Sequence, residues 1–357
     1  MRRRAAARAW RLAQQRRSKP SPATAGPARC VGKAALANLA FSLLFACGSD
    51  VDTPGGSASP GNEVLEPNPV GQPVAEPSRP APDAVNSEAQ TVCAAGTQWI
   101  YLIDINYRLV RFRPDVPSLE VLGEPDCPTI APEHTPYAMS VSQNGEAWVS
   151  YTDQRIYRVS LSTLACRATS EVDNEARIAA GRGFATLAFF LDPQTGRERI
   201  FTLGSDTEGG AVGLPGYIDP ETERFTSSEA AGIEGSPEIT GNRAGRLFGF
   251  APPRTSPEAR VLEISPSNFA VIAEQTLLGL EPTEGNGILT WAFANWDGWI
   301  YFFWKPTQAA ESSIYRIAVV DIREGSSVRA ERIDIDALGL AIVGAGVSIC
   351  APAGSLI

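Results

Sequence analysis

Histidine occurs once in the 357 residues, lysine three times and methionine twice. A lone His134 excludes multi-histidine zinc and iron centres, and any Ser/His/Asp triad would have to run through that one residue. No Gly-x-Ser-x-Gly elbow and no phosphate-cradling glycine loop stands out, so serine-hydrolase and nucleotide chemistry lack their usual sequence supports. Membrane-spanning length is also missing: the apolar run at 34–46 is well short of the ~20 residues that cross a hydrocarbon core.

Charge is divided unevenly along the chain. Residues 1–46 hold eight Arg and two Lys with no acid, which leaves 21 basic against 40 acidic side chains from Cys47 onward. That acidic excess repels nucleic-acid phosphates, so nucleic acid is not expected as a partner. No resident cofactor is required by anything in the sequence.

The front of the chain reads as an address. A basic stretch, then AALANLAFSLLFA behind Lys33, has the form of a signal peptide h-region. The run closes in Leu44-Phe45-Ala46-Cys47-Gly48-Ser49, which resembles a bacterial lipobox, with Phe45 a departure from the small residue usual there. The resemblance implies cleavage before Cys47, diacylation of its thiol and attachment to a membrane through that lipid; the alternative is an ordinary secretory signal in which Cys47 is incidental. Gly48, where inner-membrane retention favours Asp, points to the outer membrane. Val31, just ahead of Gly32-Lys33, offers an alternative start that would shorten the signal.

Three segments follow: a lipoprotein signal peptide at 1–46, a tether at 47–90 and a folded domain at 91–357. Between Gly48 and Gln90 stand eight Pro and no aromatic residue, so this stretch cannot bury enough apolar area to offset ordering entropy. Behaving as a coil, it would reach roughly 35 Å.

The domain from 91 carries a repeat of about fifty residues. A turn glycine followed by strand-forming residues recurs at Gly96, Gly145, Gly196, Gly245 and Gly298, with an aromatic three residues on in four of the five. Asn-Gly, Asp-Gly and Thr-Gly pairs supply the positive φ of tight hairpins. Narrow apolar strands precede four of these glycines, as in AMSVSQ at 138–143 and LTWAFAN at 289–295, and suit the crowded axis of a propeller. Little strand-like sequence precedes Gly96. The missing innermost strand is expected at Gly346–Cys350, so that the C-terminus completes the blade begun at the N-terminus. The expected fold is therefore all-β, a five-bladed β-propeller of four strands per unit. A six-bladed ring, with an extra hairpin in the third unit, and a pair of β-sandwiches are the alternatives.

The second unit, PYAMSVSQNGEAWVSYTDQRIYRVSLSTLACR, resembles the blades of NHL, virginiamycin B lyase and gluconolactonase-type propellers. Those resemblances imply fold, not activity. The gluconolactonase likeness further implies a central Ca²⁺ held by oxygen donors at one channel mouth, for which Asp104, Asp153, Asp206, Glu234, Glu238, Glu284 and Asn286 are the candidates. The lyase likeness would ask for a catalytic His, leaving only His134.

Four cysteines remain beyond Cys47. An exported chain favours two disulfides with three possible connectivities. Ring closure would bring Cys93 beside Cys350, leaving Cys127 for Cys166.

Residues 291–304, WAFANWDGWIYFFW, hold four of the domain's six Trp. They would serve as packing between blades or as a platform for a glycan or protein, with Trp296, Asp297 and Trp299 nominated and Trp296 expected to be exposed beside its turn. The function expected from the whole is a lipid-anchored envelope propeller that binds or scaffolds a protein or glycan partner without catalysis, or serves as a structural envelope component. The alternative is a Ca²⁺-dependent lactonase-like hydrolase.

Overall fold

The computed structural model describes residues 93–127, 131, 133–180, 183–205, 212–230, 232–253, 258–281 and 287–354. The signal, Cys47 and the tether lie outside the described residues, as do Asp206, Glu284 and Asn286.

Each recurring glycine marks one sheet, and five sheets stand in a ring. The first blade begins with β1 (Ile100–Asp104), β2 (Leu109–Arg113) and β3 (Ser118–Gly123). The second holds β4 (Pro136–Val141), β5 (Glu146–Tyr151), β6 (Ile156–Ser160) and β7 (Cys166–Ala168), after which helix α1 (Glu171–Ala179) leads onward. The third is β8 (Gly183–Leu191), β9 (Glu198–Ser205), β10 (Val212–Ile218) and β11 (Phe225–Ser227), with a two-residue β12 (Ile233–Glu234) added to β10. In the fourth lie β13 (Glu238–Gly241), β14 (Leu247–Ala251), β15 (Ala259–Ile264) and β16 (Val271–Leu278). The fifth holds β17 (Ile288–Trp296), β18 (Trp299–Pro306), β19 (Ser313–Ala318) and the outer strand β21 (Glu331–Ile333), with β20 (Ser327–Arg329) falling between the last two in sequence. Last comes β22 (Ile342–Gly346), which pairs antiparallel with β1 and completes the first blade. The chain forms a five-bladed β-propeller.

Two details differ from the sequence-based expectation. The closing strand is Ile342–Gly346, not Gly346–Cys350, and Tyr101 stands opposite Gly346. Both stretches are small and apolar, so composition does not separate them; Ser348 and the residues after it turn back because Ser348 Oγ donates to Thr97 O and accepts from Cys350 N. The fourth sheet also has five strands, because β20 leaves the fifth blade and pairs parallel with β16. The third unit's extra pairing is the short β12 and makes no sixth blade.

The energetics sit between the blades. Five apolar cores fill the five seams. Strand pleating divides the aromatic run cleanly: Tyr301 and Phe303 face the first blade, whereas Phe302 and Trp304 face the fourth. Near the axis the innermost strands approach so closely that side chains are excluded. A Cβ on Gly346 would lie 2.4 Å from Ser140 Cα, and one on Gly241 would lie 2.6 Å from Phe189 O.

Candidate functional site

Antiparallel meanders place the connections at two ends of the ring. At one end the glycine turns stand side by side: Ala94 N donates to Gln143 O, Gln143 N donates to Glu198 Oε1, and Gly354 packs on Gly298. We call this the glycine-turn face. At the other end Ile105 N donates to Ala341 O, Thr152 N to Thr135 O and Tyr107 Oη to His134 O. This is the loop face, where the described members of the nominated oxygen donors stand, Asp104, Asp153, Glu234 and Glu238.

Among those donors, Asp104 is fully buried. One of its oxygens accepts from Asn106 N at 3.0 Å and Arg108 N at 2.8 Å, while the other accepts from Arg108 Nε at 2.8 Å. Asp153 repeats the arrangement one blade on, accepting from Arg155 N at 3.0 Å and Tyr157 Oη at 3.3 Å. Both carboxylates lock their own hairpins. Glu234 is exposed on β12 and Glu238 half-buried at the start of β13. Among the described residues no three His, Cys, Asp or Glu side chains are placed to hold a metal ion. Among the described donors, Asp104 and Asp153 do not fit the Ca²⁺ site implied by the resemblance, because their oxygens already accept from N–H and O–H donors. His134 sits in a tight turn, its N–H bonded to Ala131 O.

The nominated Trp cluster lies at the seam of the first and fifth blades, on the glycine-turn face. Trp296 is 8% exposed, which corrects the expectation that it is open to solvent. Its ring stacks on Trp99 with centroids 6.3 Å apart, and its Nε1 donates to Gln98 O. The C-terminal turn lies alongside, with Asp297 N donating to Pro352 O at 2.7 Å. Trp299, opposite Trp296 across the hairpin, carries the Arg316 guanidinium over its ring at 4.3 Å, and Arg113 lies over Trp99 at 4.8 Å. These are cation–π stacks, each occupying one face of its ring. Asp297 alone of the three is exposed.

The same device recurs around the ring: Arg158 over Trp148, Arg199 over Tyr217 and Arg246 over Phe248. Each guanidinium is also held by an acid, Glu146, Asp192 and Glu263 respectively. Arg158 additionally reaches Glu223, in the third blade, at 2.8 Å. Burial opposes the charge on Glu223, but hydrogen bonds from Arg167, Arg158 and Ser170 N hold its carboxyl below the usual range.

Two groups escaped the sequence reading because each depends on a neighbour distant in the chain. Glu198 is half-buried between the second and third blades; burial raises its pKa to about 8, only partly offset by the N–H of Gln143. Beneath α1 a cavity of about 10 Å³, room for about one water, is lined by Trp148, Thr169, Asn174, Arg177 and Glu223 among others. Burial lowers the pKa of Arg177 to about 10, with Asp153 acting in the opposite sense.

Two disulfides are present, Cys93–Cys350 and Cys127–Cys166. Such bonds are at home in an oxidising compartment, as for an exported chain. No described helix is long and apolar enough to cross a membrane.

No protein-family model and no curated protein matches the chain. Solved structures show only a distant likeness in fold. A protein of unknown function from Bacteroides caccae is 10% identical, over 70% of this chain and 98% of its own, with a TM-score of 0.33. A luciferin-regenerating enzyme is 11% identical, over 67% and 80%, with a TM-score of 0.38. The Malassezia sympodialis allergen Mala s 1 is 12% identical, over 67% and 76%, with a TM-score of 0.37. Their descriptions share no function.

Proposed function

We propose that this chain is a lipid-anchored cell-envelope β-propeller that recognises a macromolecular partner and does not turn over a substrate. The observation that carries this reading is the use of Asp104 and Asp153 as hairpin locks, which turns the loop face from a cluster of free ligands into a fixed surface. An arginine or a second Trp already occupies a face of each tryptophan at the seam, which favours a protein partner over a glycan. The lipobox-like residues ending at Cys47 supply the anchor, and Gly48 the outer-membrane address.

Photocrosslinking in cells from Ala179 on the loop face tests the reading. A discrete crosslinked protein, absent when the probe sits at the rim residue Val121, is the expected result. Stoichiometric Ca²⁺ in protein purified without chelator, together with lactonase turnover abolished by Asp153→Asn, would instead establish the hydrolase.

A further inference from the structure

We infer that the glycine-turn face is the side of the propeller that meets the membrane, its unpaired arginines resting on anionic lipid headgroups while the loop face points away. The inference rests on the anchored reading above for its setting, but its evidence is separate.

The first observation is where the chain enters. Cys93, the first described residue, is exposed on the glycine-turn face and is fixed there by its bond to Cys350. A lipid attached N-terminal to it is therefore tethered to this end of the ring.

The second is charge. Among the described residues, the connections of the loop face carry thirteen acidic side chains against three arginines, whereas those of the glycine-turn face carry seven against five. Pairing sharpens the contrast. On the glycine-turn face Asp115 is bonded to Arg113, Asp192 to Arg199, and Glu223 to Arg158 and Arg167. Asp219 is spent on the N–H groups of Glu221 and Thr222.

Four arginines on the same face, Arg197, Arg224, Arg243 and Arg323, are exposed and enter no ion pair among the described residues, beside the three exposed acids Glu221, Asp297 and Glu324. Of the exposed arginines in that condition only Arg329, on β20, lies elsewhere. A planar guanidinium with unused donors suits phosphate oxygens, and the surface potential of anionic lipid draws such groups toward it. The same potential repels the opposite face, so attraction and repulsion turn the ring the same way.

The test uses the chain from residue 48 onward, held on nickel-chelating lipid by an N-terminal hexahistidine in place of the acylated cysteine. A fluorophore is placed at Gln194→Cys on the glycine-turn face or Ala179→Cys on the loop face, and quenched from the headgroup. In phosphatidylglycerol vesicles at low salt the position-194 probe should be quenched at least threefold more strongly. The difference should vanish in phosphatidylcholine, in 0.5 M NaCl, and in the triple variant Arg197→Gln, Arg224→Gln, Arg243→Gln. Equal quenching at both positions in phosphatidylglycerol, or stronger quenching at 179, would overturn the inference. Failure of the anchor itself reads out separately, as absence of palmitate incorporation that depends on Cys47 in cells.

Discussion

Cys93 and Cys350 are bonded across 257 residues, with Cα atoms 5.9 Å apart, at the one blade whose inner hairpin is not a continuous piece of chain. In the other four blades a glycine turn joins the innermost strand to the next; in the first, two chain ends meet and sulfur joins them. Cross-linking so long a loop restricts the unfolded ensemble by up to about 5 kcal/mol in the chain-entropy model. The double variant Cys93→Ser/Cys350→Ser should therefore unfold at markedly lower denaturant. It should still fold, because β22 keeps its ladder to β1. The measurement is a urea titration followed by tryptophan emission.

Hydroxyl side chains stitch every seam near the axis. Ser140 Oγ accepts from Phe189 N at 2.9 Å and donates to Val347 O. Thr186, Thr240 and Ser312 serve the remaining three seams, through Ile239 N, Asn295 and Ile342 N. Ser140→Ala leaves a buried N–H unsatisfied and should cost about 1–3 kcal/mol. Gly346→Ala should cost more, since its Cβ meets backbone rather than a movable side chain. Gly196→Ala, with nothing within 4 Å, should show only the strain of its positive φ, about 1 kcal/mol. Thermal melts of the three variants rank them.

Glu198 makes stability depend on pH. Its folded pKa, raised to about 8, exceeds that of the unfolded chain, so the folded state binds the extra proton. Stability contributed by this group is therefore lost as pH rises from the unfolded value through about 8. Glu198→Gln should flatten the Tm profile over that window and be more stable than the parent at pH 9. Parallel profiles for the two proteins would contradict the assignment.

Asp104 and Asp153 separate lock from ligand. Asp104→Ala abandons the Arg108 guanidinium and two backbone N–H groups, and should lower stability by about 1–3 kcal/mol. Millimolar Ca²⁺ should leave the Tm of the parent and of Asp153→Asn unchanged. A Ca²⁺-dependent rise in the parent alone would restore a metal role to this face.

How much of this was legible in the sequence follows from the range of each signal. Blade number was readable because every turn demands its own glycine, and Gly96, Gly145, Gly196, Gly245 and Gly298 all have positive φ. The closing strand was misplaced by four residues because IVGAG and GVSIC look alike until β1 selects a register. Trp296 was misjudged for a similar reason: its burial depends on Trp99 and on the C-terminal turn, both distant in sequence. Asp104 and Asp153 carried a readable local pattern, an Asp at a tight turn between two strands, but a carboxylate aimed at its own hairpin and one aimed at a metal are spelled alike. Helix α1 and the strand exchange by β20 left no periodic trace in such short segments.

Completing the first blade with the last strand has a temporal meaning. Until synthesis delivers Gly346, β1 has no inner neighbour and the axis lacks one of its five walls. A nascent chain thus cannot lock into its final form ahead of time, and the circle shuts only once its tail has arrived.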